Sequence, residues 1–227
     1  MPKKIRIPPN LFSDIVGYDD VKSLLLKTIR SYGDGLPVHF LLVGEPATAK
    51  SLFLLSLERI KGAEYRLGSR LSRSGLVELL IGKKPHLVLI DEIDKVSDRE
   101  CLAVLLSLME TGRIVETLHG KMRTEKLEVI VVAAANDISE LPRELLSRFI
   151  ILRFKPYKWG EFLKIARNIL VKREGVKPRI AKYIASVVWN KLGSKDFRDC
   201  IKLARLIRDG QNKREIDLVV RTLAKYS

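Results

Sequence analysis

Residues 44–51 read GEPATAKS, one letter from the phosphate-loop pattern G-x-x-x-x-G-K-[ST]; Gly44, Lys50 and Ser51 fall in place and Ala49 stands at the second glycine. The apolar run VHFLLV precedes this stretch, and apolar residues at helical spacing follow it. A strand-to-helix turn of that kind presents backbone N–H groups and a helix N-terminus to phosphates. Glu45, Pro46, Ala47, Thr48 and Ala49 then form the cradle, with Leu52 in the first helical turn. Lys50 reaches the terminal phosphates, and the Ser51 hydroxyl is placed to hold magnesium. Ala49 directly precedes the lysine where the helix begins, so a negative φ is expected there and a methyl group is tolerated.

Two further strand ends and one helix end carry polar groups with matching chemistry. HLVLIDEIDKV ends an apolar strand in Asp91-Glu92, placing two carboxylates at the carboxyl edge of a parallel sheet, where ligands of open α/β folds bind. Asp91 is expected to hold the metal and Glu92 to polarise an attacking water. VIVVAAAND ends in Asn136, whose amide can donate and accept at a γ-phosphate and a water. ELPRELLSRF brings Arg148 to the end of a short helix, from which a guanidinium can stabilise charge on a neighbouring molecule's phosphate.

The elements that must position these groups are legible as alternating runs. Between residues 38 and 154 the β-prone pieces 38–43, 64–67, 87–90, 127–133 and 150–154 alternate with helical spacing over 50–60, 74–81, 98–111 and 141–147. That is the pattern of βαβ units around a mostly parallel five-stranded sheet. Ser97-Asp98-Arg99-Glu100 reads as a helix N-cap. RIVETLHGKMRTEKLEVIVV predicts a β-hairpin turning at Gly120, with His119, Lys121 and Arg123 at its tip. After Lys155-Pro156 only amphipathic helical segments remain, over 159–174, 179–191, 196–209 and 214–225. Residues 1–155 are therefore expected to form an α/β nucleotide-binding domain and 156–227 a small helical lid.

Phosphate loop, Asp-Glu strand, Asn-ended strand and Ser-Arg-Phe turn, followed by a helical lid, together resemble the AAA+ ATPases, from about Leu11 to the end. The resemblance implies ATP and Mg2+ as cofactors, a ring-shaped homo-oligomer, usually a hexamer, and an active site completed by Arg148 from the next subunit. LFSDIVGYDDVKSLL is similar to the family's adenine-side segment, which implies base contacts from Ile15, Val16 and Gly17. SKDFRDCIKLA is similar to its sensor-2 helix, which implies Arg198 for the phosphates. The Ala-Lys form of the loop also occurs in minichromosome-maintenance helicases and MoxR-type ATPases. A decayed site would have lost Lys50, Asp91 or Glu92 as well.

Within the family, EYRLGSRLSRSGLVELL and SRFIILRF look like RuvB-type Holliday-junction motors, whereas LLSLMETGRIVE and the hairpin look more like the minichromosome-maintenance and MoxR groups. The first likeness implies DNA remodelling and the second leaves a MoxR-like chaperone or loader acting on a protein as the alternative. A third reading is a nucleotide-binding regulatory module without turnover. RuvB-type motors carry a winged-helix domain after the lid, and nothing before Ser227 corresponds to it. DNA contact is then expected from Arg70 and Arg73 in the loop after the second strand, from Lys121 and Arg123, from the basic lid, or from a separate junction-recognition protein.

Composition agrees with a folded protein that has a polyanionic partner. The net charge is +15, and residues 156–227 hold 18 Lys+Arg against 7 Asp+Glu, which is +11 of the excess. A single glutamine, Gln211, is equally in keeping with a charged surface of a heat-adapted protein. The start MPKKIRIPPNLFSD lacks the apolar core of a secretory signal, and no apolar run approaches the roughly 18 residues of a membrane helix. A cytoplasmic protein without membrane contact is expected. Cys101 and Cys200 stand far apart without a CxxC or Cys/His cluster, as small apolar fillers on helices would.

Overall fold

A computed structural model describes residues 4–35, 37–118, 121–207 and 212–226; within 116–118 and 121–123 it describes the backbone alone. The chain divides into two compact units, Met1–Glu45 with Ala49–Phe154, and Pro46–Thr48 with Lys155–Ser227.

Five strands of the first unit form one parallel sheet: β1 (His39–Gly44), β2 (Ala63–Leu67), β3 (Leu87–Asp91), β6 (Ile130–Ala135) and β7 (Phe149–Phe154), in the order β2-β3-β6-β1-β7. Every pairing within it is parallel, so the expected mostly parallel sheet is wholly so. The strand expected from 127 begins at Ile130, because Leu127 is taken by a backbone bond to Gly112 that closes the hairpin. That hairpin pairs β4 (Arg113–Leu118) with β5 (Lys121–Lys126) antiparallel; its turn lies outside the described residues.

The three central strands are apolar without interruption because both of their faces are covered. Leu41, Val43, Val88, Ile90, Val131 and Ala133 pack on one face against Leu76, Leu80, Leu105 and Leu108 of α3 (Arg73–Lys83) and α4 (Arg99–Thr111). The alternate residues Phe40, Leu42, Leu89 and Val132 are fully buried on the other face, where α2 (Lys50–Leu57) packs through Phe53, Leu54 and Leu57. Asp98 caps α4 by accepting from the Glu100 and Cys101 N–H groups. α1 (Asp19–Arg30) and the short α5 (Arg143–Leu146) complete this unit.

The second unit carries α6 (Trp159–Lys172), α7 (Pro178–Asn190), α8 (Phe197–Leu206) and α9 (Lys213–Tyr226). Its core gathers Phe162, Leu170, Ile184, Val188, Leu203 and Ile216, with Trp159, Phe162 and Trp189 in mutual ring contact. Cys101 and Cys200 are both buried on helices, and burial pushes both thiols up to about 12. Among the described residues no helix is long and apolar enough to cross a membrane, and no cluster of His, Cys, Asp and Glu is placed to hold a metal.

Candidate functional site

The strand order sets the site. β1 lies between β6 and β7, so the connections leaving β1 and β6 run to opposite sides and open a crevice at the carboxyl end of the sheet. Val43 pairs with Ala135 and Ile90 with Ala133. Gly44, Asn136 and Asp91 therefore all leave the sheet at that one edge.

Gly44 is required by close approach rather than by φ: a Cβ there would lie 2.4 Å from the Phe154 carbonyl oxygen at the end of β7. Ala47 takes φ 65, a left-handed conformation that an alanine adopts at a cost. Ala49 takes φ −60, where a methyl group fits without strain. Lys50 is buried, and its Nζ donates to the Gly44 and Glu45 carbonyls at 2.7 and 2.8 Å. The N-terminus of α2 has neither a side-chain cap nor an acidic residue in its first turn. Its N–H groups and the ammonium of Lys50 together form a positive end.

Opposite stands Asp91, buried at the end of β3. Its Oδ2 accepts from the Tyr65 hydroxyl and its Oδ1 from the Glu92 N–H, both at 3.0 Å. Burial first, and then the charge of Asp91, push the Tyr65 phenol well above its ordinary value, so it stays a donor. Glu92 sits at φ 54 and ψ 48, so the chain turns sharply as it leaves the strand and carries the second carboxylate off the line of the first. Gly68 permits this: a Cβ at 68 would lie 2.1 Å from the Glu92 carbonyl oxygen. The Asn136 N–H approaches the Asp94 Oδ1 at 3.4 Å, leaving its exposed side chain at the edge.

On the far side of the loop, Ile15 is buried and its carbonyl accepts from Lys22 Nζ at 2.8 Å. Gly17 and Tyr18 follow with φ 74 and 56, and the Tyr18 ring stacks on Phe154 at 4.7 Å and meets Phe53 edge-on. Phe154 also abuts Gly44, so the segment holding Ile15, Val16 and Gly17 is fixed beside the loop. Tyr18, Tyr65 and Gly68 were not identified from the sequence. Tyr65 carried no signal of its own: its place beside Asp91 follows from the register of β2 on β3, where it falls two residues short of Asp91.

Other expected residues have contacts of their own. Arg148 follows α5 half-exposed, and its Nη2 donates to Glu110 Oε1 of α4 at 2.6 Å. Arg198 belongs to the second unit, where its Nε donates to Asp196, the cap of its own helix. Arg70 and Arg73 were expected in a loop, but Arg70 closes a 3-10 turn and Arg73 opens α3, because the Ser72 hydroxyl caps that helix by accepting from the Gly75 N–H. Arg73 is tied down by a backbone bond to Asp98 and an ion pair with Glu100. The side chains of Lys121 and Arg123, and all of His119, lie outside the described residues.

A parallel five-stranded sheet with this strand order and a lysine-bearing loop between β1 and α2 defines an α/β P-loop nucleotide-binding fold. The chain belongs to the ATPase family associated with various cellular activities (AAA), whose model matches residues 40–157. It is 27% identical over 186 residues to a Lon protease of Mesomycoplasma hyopneumoniae, covering 69% of this chain and 21% of that protein. It is 26% identical over 229 residues to the minichromosome maintenance protein of Saccharolobus solfataricus, covering 79% of this chain and 33% of that one. The chain thus spans between about a fifth and a third of the length of the curated relatives it matches. In fold it is similar to the RuvB Holliday junction branch migration motor of Thermotoga maritima, with a TM-score of 0.67 at 20% identity over 96% of this chain and 72% of that one.

Proposed function

We propose that the chain binds ATP between the loop of residues 44–51 and the Ile15–Gly17 segment, and hydrolyses it as one subunit of a ring, usually a hexamer. The observation that carries this is the common edge of β1, β6 and β3, which gathers a buried lysine, an uncapped helix N-terminus and two carboxylates around one opening. That donor set fits a metal-bound triphosphate. Lys50 exchanges its two backbone carbonyls for phosphate oxygens. Ser51 and Asp91 would hold Mg2+, which would supply positive charge to offset that of the phosphates. Glu92, turned out of the strand, takes the proton of the attacking water, and Asn136 orients that water. Arg148 serves the nucleotide of the neighbouring subunit and Arg198 that of its own, with residues 1–155 as the nucleotide-binding domain and 156–227 as the lid. Lys50→Ala and Arg148→Ala proteins, each inactive alone, are expected to recover ATPase on mixing; no recovery, or full activity in a verified monomer, refutes the shared site.

DNA is the partner this reading favours for remodelling. The basic balance of the chain and its likeness to a protein named as a Holliday junction motor support it. Similarity to Lon proteases supports a second reading, remodelling of a protein. ATPase rates with single-stranded, duplex and four-way DNA at several salt concentrations discriminate: salt-sensitive stimulation is expected, and its absence turns the assignment to a protein partner.

A further inference from the structure

Four cations of the helical unit are neutralised: Lys191 pairs with Asp217, Arg198 with Asp196, Lys202 with Asp199 and Arg205 with Glu174. Others, such as Lys195, Arg214, Arg221 and Lys225, are exposed without an ion pair among the described residues but line no groove with one another. On the face shared by α6 and the start of α7, Lys164, Arg167, Lys172, Arg179 and Lys182 are all exposed and have no ion-pair partner among the described residues. They surround a groove of about 340 Å³ that continues into one of about 330 Å³ through the shared Lys164, Arg167 and Pro178. No acidic and no aromatic residue lines either part.

A solvated surface of a heat-adapted protein explains this poorly, since such surfaces interleave both signs in networks. Here Lys164 and Arg167, and again Arg179 and Lys182, stand three residues apart on their helices, where like charges repel. α7 adds to the same field: it opens on Pro178 with no acidic residue in its first turn and no side-chain cap, so its positive end is uncompensated. A polyanion laid across the groove relieves the repulsion. The absence of aromatic side chains leaves nothing for exposed bases to stack on, so a backbone whose bases are already paired is the better fit. From Lys164 to Lys172 the helix advances ~12 Å, a span over which duplex DNA presents one charge per ~1.7 Å of axis.

We infer that the α6–α7 groove, centred on Lys164, Arg167, Arg179 and Lys182, is a binding surface for the phosphodiester backbone of duplex DNA. This rests on the DNA reading above and assigns it to residues of the helical unit, none of them shared with the hairpin or with the residues named for the nucleotide.

The test compares the full chain with a variant carrying Lys164→Gln, Arg167→Gln, Arg179→Gln and Lys182→Gln. The control carries Lys195→Gln, Arg214→Gln, Arg221→Gln and Lys225→Gln, removing the same charge from the same unit. Binding of a labelled duplex is followed by anisotropy from low to moderate salt. Each lost phosphate contact removes ~0.9 from the slope of log K against log salt. The groove variant is expected to flatten that slope by ~2 to ~4 and to weaken binding at least ~10-fold at ~0.1 M salt, with the control and the basal ATPase rate unchanged. Equal losses in variant and control, a loss confined to Lys121→Gln/Arg123→Gln, or tighter binding of single strands than of duplex would overturn the groove assignment while leaving the DNA reading intact. No salt-dependent binding by the unaltered protein would overturn both.

Discussion

His39 opens β1, five residues ahead of Gly44, and is nearly inaccessible at 3% exposure. Its Nδ1 accepts from the Val131 N–H at 3.1 Å and its Nε2 lies 3.3 Å from the Met109 carbonyl, so the neutral tautomer protonated on Nε2 satisfies both partners. A proton on Nδ1 would set two donors against each other in the core. Burial accordingly lowers its pKa to about 4, against a small opposing effect of the Met109 carbonyl. The native state then binds fewer protons than the unfolded chain between the unfolded value of 6.5 and about 4, so stability falls as pH falls through that window. The full loss is about 3 kcal/mol at 1.36 kcal/mol per unit, of which about 2 kcal/mol is already gone at pH 5. Urea unfolding followed by far-UV circular dichroism at intervals from pH 7.5 to 4.5 measures it. Tryptophan fluorescence reports the other unit separately, because Trp159 and Trp189 both lie there. His39→Asn starts less stable but has nothing to titrate, so its curve should be flatter by the same 2 kcal/mol at pH 5. Parallel curves for the two proteins would refute the assignment of the neutral, doubly bonded ring.

Three further outcomes follow from contacts at the site. Tyr65→Phe removes one of the two donors that orient Asp91, and groups supporting a metal ligand commonly account for ~10–100-fold in metal affinity; the Mg2+ concentration for half-maximal ATPase should rise by that range, with metal-free nucleotide affinity unchanged by fluorescence titration. Gly68→Ala drives a Cβ into the Glu92 carbonyl, which no side-chain rotation relieves, so it should cost about 1–3 kcal/mol and lower turnover more than nucleotide affinity. Gly82→Ala in α3 meets nothing within 4 Å and should instead stabilise by up to about 1 kcal/mol in the same denaturation assay. Glu110→Gln frees Arg148 from an exposed pair of about 0.2–1 kcal/mol, so ATPase measured against protein concentration should reach half-maximum at a concentration lower by up to about 5-fold if the guanidinium works between subunits.

The sheet was legible because buried parallel strands are apolar on both faces, and VHFLLV, LVLI and VIVVAAA admit little else between turn-forming residues. Polar residues at the ends of such runs must lie at a sheet edge, and parallel strands share one carboxyl edge. Lys50, Asp91 and Asn136 therefore belong at one edge on sequence grounds alone, whereas the helix face each group meets does not follow from the pattern. Arg73 went astray for a local reason: one serine hydroxyl, that of Ser72, turned an expected loop into the first turn of α3. Tyr65 and Gly68 were illegible because their importance comes from β3, whose register against β2 is a property of the folded sheet and of no short stretch of sequence.

The same distinction separates the two charged regions of the molecule. Around the loop, strain and burial coincide: Ala47 and Glu92 hold left-handed backbone, Lys50 and Asp91 are buried, and both buried groups are hydrogen-bonded. A site so constrained is built for one geometry of ligand, and a displacement of Glu92 or Asp91 should be felt in turnover. On the α6–α7 face the cations are exposed, unpaired and mounted on long flexible stems, an arrangement that constrains no single pose. Such a surface suits a ligand whose charge repeats along its length and must be held without being fixed in register. ATP meets the first description and a duplex backbone the second, so on the two proposals made above hydrolysis and DNA binding would fall on separate sets of residues, and variants of one set should leave the other property unchanged.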